Sequence, residues 1–210
     1  MKKVLLATAV LALVASSAFG TVVGSKHDLS SATGPNATYQ GSNDGGEVCV
    51  YCHTPHGATA AGVAPLWNRG TVNATAAYAN AGSLDHTIAL ATVNTSDAPL
   101  CLSCHSGTAL TGALNNEPNY AGFTNVANSL TTTTADLGTD LSNDHPVGFV
   151  FNAALDAGLK VPATAPVNFG AGNNEMWCSS CHDVHGGVAA TPFLVMSNSG
   201  SALCVDCHVK

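Results

Sequence analysis

The stretch from Trp177 to His185, which reads Trp-Cys-Ser-Ser-Cys-His-Asp-Val-His, decides how this chain folds. Its core, Cys-x-x-Cys-His, occurs four times, as motif 1 (Cys49–His53), motif 2 (Cys101–His105), motif 3 (Cys178–His182) and motif 4 (Cys204–His208). This pattern is the attachment signature of c-type haem. Two thiols three positions apart reach the two vinyl groups on one porphyrin edge, and the adjacent His binds the iron from one face.

The four motifs use all eight cysteines of the chain, so no thiol remains for a disulfide. Two tetra-cysteine zinc sites or a thioredoxin-like dithiol are the competing interpretations, but neither explains a His directly after every pair. We therefore predict four covalently attached haem c groups. The predicted thioether residues are Cys49, Cys52, Cys101, Cys104, Cys178, Cys181, Cys204 and Cys207, and the predicted proximal ligands are His53, His105, His182 and His208.

The five remaining histidines decide the type of haem, because four irons need four ligands on their second faces. One more histidine is present than the four irons need, which favours ligation of each iron by two histidines. Met176 and Met196 are more typical of packing residues. His86 lies in a connector rich in Ala, Thr and Asn and is the expected spare. The predicted distal ligands are His27, His56, His145 and His185, and a tail residue with no role is the alternative for His27.

His56 and His185 each follow a proximal His by three positions. If each stretch is one helical turn, the two side chains lie side by side. The second His then cannot reach the far face of the haem that its neighbour holds, and it would bind the iron of another haem. Solvation of haem propionates is the alternative role for both residues.

Met1 is followed by two lysines, an apolar stretch from Val4 to Val14 and mostly small residues up to Gly20. These features predict a signal peptide over residues 1–20, too short to span a bilayer, and a tetrahaem domain over residues 21–210. The protein is thus expected to be exported to the cell surface or, alternatively, the periplasm. With Lys and Arg at 6 and Asp and Glu at 13, a nucleic-acid partner is not expected.

Long connectors rich in Gly, Pro, Asn and Thr separate the motifs, and they show little apolar periodicity. We predict a mostly irregular fold with short α-helices around the motifs and one over 152–159, wrapped around four c-type haems, with little or no β-sheet. Such connectors are unusual in a compact domain. Haem surfaces would supply the missing apolar bulk and couple folding to haem attachment.

Patches outside the motifs add a resemblance. His27-Asp-Leu-Ser, Val48 to His56, Pro65-Leu-Trp-Asn, Asp144 to Phe149 and Trp177 to His185 resemble the OmcE-type tetrahaem cytochromes of metal-respiring bacteria. The resemblance implies an extracellular filament with a continuous stack of bis-His haems. It also implies that His27 ligates a haem of the adjacent subunit, while His56, His145 and His185 act within the chain.

These observations predict an electron-transfer protein rather than an enzyme, acting as a filament subunit that passes electrons to external acceptors or other redox proteins. A soluble periplasmic shuttle is the first alternative. A reductase of a small oxyanion is the second, and it would need one iron with an open position. Charged residues make up only 9% of the chain, which agrees with burial of surface between subunits.

Overall fold

The computed structural model of the protein describes residues 22–59, 66–76, 78, 86–107, 113–126, 128–131, 133–162, 174–186 and 193–209. Turns, bends and irregular segments make up most of these ranges. Within them lie three short α-helices: α1 (Leu90–Thr95), α2 (Ala98–His105) and α3 (Ala202–Cys207).

Short 3-10 turns and one small sheet complete the secondary structure of the described ranges. Strands β1 (Phe149–Val150) and β2 (Glu175–Met176) pair antiparallel, with Phe149 opposite Met176. The prediction of a mostly irregular fold with short helices and little β-sheet is therefore confirmed. The 3-10 turns cover Ala37–Tyr39, Val48–Tyr51, Ala153–Leu155, Cys178–Ser180 and Ser199–Ser201.

The predicted helix over 152–159 is mostly wrong, because only the 3-10 turn Ala153–Leu155 forms there. The Asn152 side chain accepts a hydrogen bond from the Ala154 N–H and starts this turn. The Asp156 carboxylate then accepts from the Gly158 N–H and folds the next residues into a separate turn. Side chains that bond to the nearby backbone in this way compete with helix propagation.

Two small clusters of buried apolar side chains form the core of the described ranges. Core A lies around α1, α2 and the sheet, and core B lies next to motifs 1 and 2. Cys178 packs against core A, whereas Cys52 and Cys104 pack against core B. The buried members are Ala74, Tyr78, Ile88, Val93, Ala98, Leu102, Leu141, Phe149, Met176 and Cys207 in core A, and Leu29, Tyr51 and Val126 in core B.

Gly148 brings the segment after His145 against α1. Its φ angle is +78°, and a Cβ atom there would lie 2.5 Å from the Cα atom of Val93. Only glycine combines this backbone conformation with such a close approach. Val147, two residues after His145, packs against core A.

The carboxylate of Asp44 ties the N-terminal segment to motif 1. Asp44 is fully buried, and it accepts hydrogen bonds from the backbone N–H and hydroxyl of Ser31, the Gly46 N–H and the Tyr51 hydroxyl, at 2.7–2.9 Å. Burial alone would raise the pKa of Asp44, but these hydrogen bonds outweigh it and lower the pKa to about 2. The ionised form is therefore the one that stabilises this region.

We expect the Asp44→Asn variant to unfold about 2–3 kcal/mol more easily than the parent at pH 7, because the buried donors lose a charged acceptor. In the parent, the stabilisation from ionised Asp44 is present above about pH 4, because folding lowers the pKa of this carboxyl group. This stabilisation is lost as the pH falls towards 2. Denaturant titrations at pH 7 and pH 3 measure both effects. Asp140→Asn, at an exposed carboxylate, is the control. Equal stability of Asp44→Asn and the parent at both pH values would contradict the expectation.

Motif 1 leads into a short antiparallel bridge with a segment further along the chain. The Thr54 N–H donates to the Leu66 carbonyl at 2.8 Å, and the Asn68 N–H donates to the Cys52 carbonyl at 2.9 Å. Leu66 has a φ angle of +62°, which is uncommon for a residue other than glycine.

Motif 3 has the same local structure. The Asp183 N–H donates to the Phe193 carbonyl at 2.7 Å, the Val195 N–H donates to the Cys181 carbonyl at 3.0 Å, and Phe193 has a φ angle of +57°. Motifs 1 and 3 begin on 3-10 turns, whereas motif 2 lies on α2 and motif 4 on α3. The described parts of the chain thus contain two similar units, unit A with motifs 1 and 2 and unit B with motifs 3 and 4.

Some predicted features lie outside the described residues. The signal peptide, residues 1–20, is one of them, as are parts of the connectors. None of the helices in the described ranges is long and apolar enough to cross a membrane.

Candidate haem-ligating site

Three pairs of imidazole rings lie close together, and each pairs a predicted proximal ligand with a predicted distal ligand. The ring centroids of His53 and His185 are 5.9 Å apart. The corresponding distance is 6.0 Å for His27 and His105. His145 and His208 are 6.4 Å apart.

These distances fit two imidazoles on opposite faces of one iron. Imidazole nitrogens bind metals at about 2.0 Å, and the ring centre lies behind the nitrogen, so two such rings have centroids about 6 Å apart. All three pairs come within a few tenths of an ångström of this value. The spacing of the rings therefore matches that of two axial histidines at motifs 1, 2 and 4.

His27 is held against the motif 2 histidine of its own chain. Its ring stacks on Phe193 at 4.3 Å between centroids. Burial, together with the nearby His105, His182 and His185, lowers the pKa of His27 to about 4. Its imidazole is therefore neutral at pH 7, which is the form that binds iron. The resemblance implied a ligand for a neighbouring subunit, whereas this structure places His27 beside His105 of the same chain.

Backbone carbonyls orient the rings of His105 and His145. The Nδ1 atom of His105 lies 2.7 Å from the Ala135 carbonyl, and the Nδ1 atom of His145 lies 3.0 Å from the Pro146 carbonyl. A carbonyl only accepts, so each Nδ1 carries the proton and each Nε2 keeps its lone pair. Carbonyl partners of this kind fix the tautomer of metal-ligating histidines.

The pairing of His53 with His185 replaces the predicted helical turn. Both His53 and His182 lie in antiparallel bridges, with Trp67 and Leu194 respectively, and not in a helix. The chain leaves each motif in an extended direction. His185 consequently faces the histidine of motif 1 rather than that of motif 3.

His182 and His56 are the remaining proximal and distal candidates, and the structure does not bring their rings together. His56 is exposed, and its ring packs against no other aromatic ring among the described residues. Its carbonyl accepts hydrogen bonds from the Thr54 hydroxyl and the Asn116 side chain. Burial and the neighbouring His105 lower the pKa of His182. Its neutral imidazole is the form that binds iron.

His86 has a structural role. Its Nε2 accepts a hydrogen bond from the Asn152 N–H at 2.8 Å, and its buried ring contacts Phe149 and Phe151 at 4.8 and 5.9 Å between centroids. With this nitrogen engaged by the backbone, His86 is not placed to bind iron. The spare histidine of the sequence therefore packs against core A.

All eight cysteines are free of disulfides. Sγ atoms of Cys101 and Cys178 lie within 4.8 Å of each other and of a carboxylate oxygen of Asp97, which brings motifs 2 and 3 together. In the described part of the chain, this is the one group of three or more His, Cys, Asp or Glu side chains whose ligand atoms all lie within 4.8 Å of one another. It contains two thiols rather than four. A tetra-cysteine zinc site is therefore not formed there.

Two charged residues near the motifs were not found by sequence reasoning. Arg69 is buried and donates from Nε to the Tyr51 carbonyl at 2.7 Å, next to Cys52. Asp97 accepts hydrogen bonds from the first residues of motif 3. Neither residue belongs to a recognisable pattern, because each reaches its partners only through the tertiary fold.

Residues 168–210, which contain motifs 3 and 4, match the family model described as the doubled CXXCH motif. No curated protein matches the chain at a significant level. The match indicates a multihaem c-type cytochrome with covalently bound haem c, a class of protein associated with electron transfer. Bound haem would supply a one-electron ferric/ferrous couple, while the motif cysteines would anchor its edge and the motif histidines would ligate its iron.

Proposed function

We propose that this protein transfers electrons through four closely packed haem c groups, each with two axial histidines. The observation that carries the proposal is the set of three imidazole pairs at 5.9–6.4 Å, each joining a motif histidine to one from elsewhere in the chain. Cys101 beside Cys178, and Cys52 and Cys104 on core B, support close packing of successive attachment sites.

The similarity of units A and B supports an assignment for the remaining motif. The ring of His185, from the segment that follows motif 3, lies beside the motif 1 histidine. By the same relation, motif 3 would receive His56 from the segment that follows motif 1. The full assignment is then His185 for motif 1, His27 for motif 2, His56 for motif 3 and His145 for motif 4.

The mass and the spectrum of the native protein test this proposal. The intact mass is expected to exceed that of the mature polypeptide by four haem groups. The reduced protein is expected to show the spectrum of six-coordinate, low-spin iron and to bind no carbon monoxide. An iron with an open position would instead favour the reductase alternative.

We also propose that copies join head to tail into an extracellular filament that passes electrons to external acceptors. Inside the chain, Phe193 after motif 3 stacks on His27 beside motif 2. Leu66 holds the equivalent position after motif 1, and its side chain is 52% exposed. At the other end Cys204 and His208 of motif 4 are exposed. Contact of motif 4 with Leu66 of a second copy would repeat the internal junction.

A soluble periplasmic shuttle is the alternative, and the contact of His27 with His105 of its own chain favours it. Electron microscopy and light scattering of native material separate the two forms. Filaments that shorten on Leu66→Asp would support assembly through this face. Monodisperse single copies would support the shuttle.

The His185→Ala variant is expected to convert one haem to a five-coordinate, high-spin state, because motif 1 loses its distal ligand. The measurement is the visible spectrum of the ferric protein and carbon monoxide binding by the ferrous protein, with one new binding site per chain. His86→Gln is the matched control, since Gln keeps a hydrogen-bond acceptor for Asn152, and it should leave the spectrum unchanged. An unaltered spectrum of His185→Ala would refute the assignment.

A further inference from the structure

The carboxylate of Asp97 lies at the junction of motifs 2 and 3 and bonds to both. Its Oδ1 accepts from the Cys178 N–H at 3.0 Å, and its Oδ2 accepts from the Ser179 N–H at 2.8 Å. Its backbone carbonyl accepts from the Cys101 N–H at 3.3 Å in the first turn of α2. One residue therefore connects the attachment turn of motif 3 to the attachment helix of motif 2.

The direction of the Asp97 side chain distinguishes it from an ordinary helix cap. Asp97 occupies the N-cap position of α2, where an aspartate usually accepts from the N–H groups of its own helix. Here it makes no side-chain hydrogen bond to its own helix. Both oxygens instead bind the first two residues of the 3-10 turn Cys178–Ser180 of motif 3.

Unit B lacks this carboxylate. The residue four positions before Cys204 of motif 4 is Gly200, whereas the residue four positions before Cys101 of motif 2 is Asp97. The link is thus specific to the junction between the two units. If every haem motif on a helix required this carboxylate, an acidic residue would stand at both positions.

We propose that Asp97 is a positioning residue that fixes the attachment sites of motifs 2 and 3 relative to each other and lowers the reduction potentials of the two haems. This inference rests on the proposed function, since it requires haem at both motifs. An oxygen of the carboxylate lies within 4.8 Å of Cys101 Sγ and Cys178 Sγ, which are the atoms that bond to the porphyrin edges. A negative charge there favours the ferric state, which carries one more positive charge than the ferrous state.

The test is a potentiometric titration of Asp97→Asn in the haem-loaded protein. Asn keeps an oxygen acceptor but removes the charge. We expect the ferric/ferrous ratio of one or two haems to fall by on the order of tenfold at a fixed solution potential. This fall corresponds to an increase of about 59 mV in the reduction potential of those haems. The remaining haems should be unchanged. Asp97→Glu keeps the charge and should keep the potentials low, and Asp140→Asn controls for the loss of one exposed charge.

Asp97→Ser is a second neutral variant, so that poor folding of one variant leaves the other as the test. If either folded neutral variant binds the full haem complement and all its potentials match the parent, the inference is wrong and the proposed function stands. Haem-peptide mass spectrometry of the parent separates the two claims. Peptides with Cys101 or Cys178 but no haem would refute the proposed function and the inference with it.

Discussion

Removing all eight cysteines is expected to leave the chain largely unfolded, because haem attachment would be lost. The longest helix in the described ranges, α2, has 8 residues, and isolated helices shorter than about 12–15 residues are marginal in water. In the described ranges, core B has only three buried members and core A has ten. The haem surfaces must therefore supply much of the apolar area buried on folding.

The variant with Ala at all eight cysteine positions, compared with the haem-loaded parent, gives the measurement. Circular dichroism, amide hydrogen exchange and limited proteolysis should show loss of protected structure across both cores. A variant that lacks only Cys204 and Cys207 is the control, and it should retain protection around core B. Cooperative unfolding of the eight-alanine variant with parent-like exchange protection would contradict a haem-dependent core.

Asn68→Ala is expected to cause the largest loss of stability among single polar substitutions. The Asn68 side chain is fully buried, and its Nδ2 donates to the carbonyls of Val50 and Asn116 at 2.7 and 2.8 Å. Its Oδ1 accepts from the Asn116 N–H at 2.8 Å. Truncation removes these three partly buried hydrogen bonds, and each contributes about 1 kcal/mol. We expect a loss of about 3 kcal/mol or more.

Guanidinium unfolding of the haem-loaded variant measures this loss. Asn128→Ala is the matched control, because the exposed Asn128 side chain donates one hydrogen bond to the Thr38 carbonyl. Exposed substitutions of this kind change stability by about 0.5 kcal/mol or less. Similar midpoints for the two variants would show that Asn68 does not hold the bridge after motif 1.

The sequence predicted the fold class and the haem-attachment motifs because both depend on local patterns. The Cys-x-x-Cys-His spacing is set by the porphyrin edge, and the connectors lack the periodicity of long helices or strands. His86 was also predicted as the spare, and its hydrogen bond with Asn152 agrees with this.

The pairing of the histidines could not be predicted, since it depends on contacts between distant parts of the chain. The local spacing of His182 and His185 suggested a helical turn, but the bridge to Leu194 overrides it. The relation between Leu66 and Phe193 was equally hidden, because their shared feature is a positive φ angle rather than a residue type. Asp97 and Asn68 act through partners far away in sequence.

The three imidazole pairs have a mechanical consequence. Iron between each pair would close the chain from 27 to 105, from 53 to 185 and from 145 to 208, and these segments overlap in succession. In the chain-entropy account, a cross-link that closes roughly 100 residues lowers the conformational entropy of the unfolded chain. Each such cross-link stabilises the folded state by about 4–5 kcal/mol. Tension applied to either end would pass from one coordination bond to the next. The protein should therefore resist stretching in the manner of a disulfide-linked domain, although no two of its cysteines are bonded to each other.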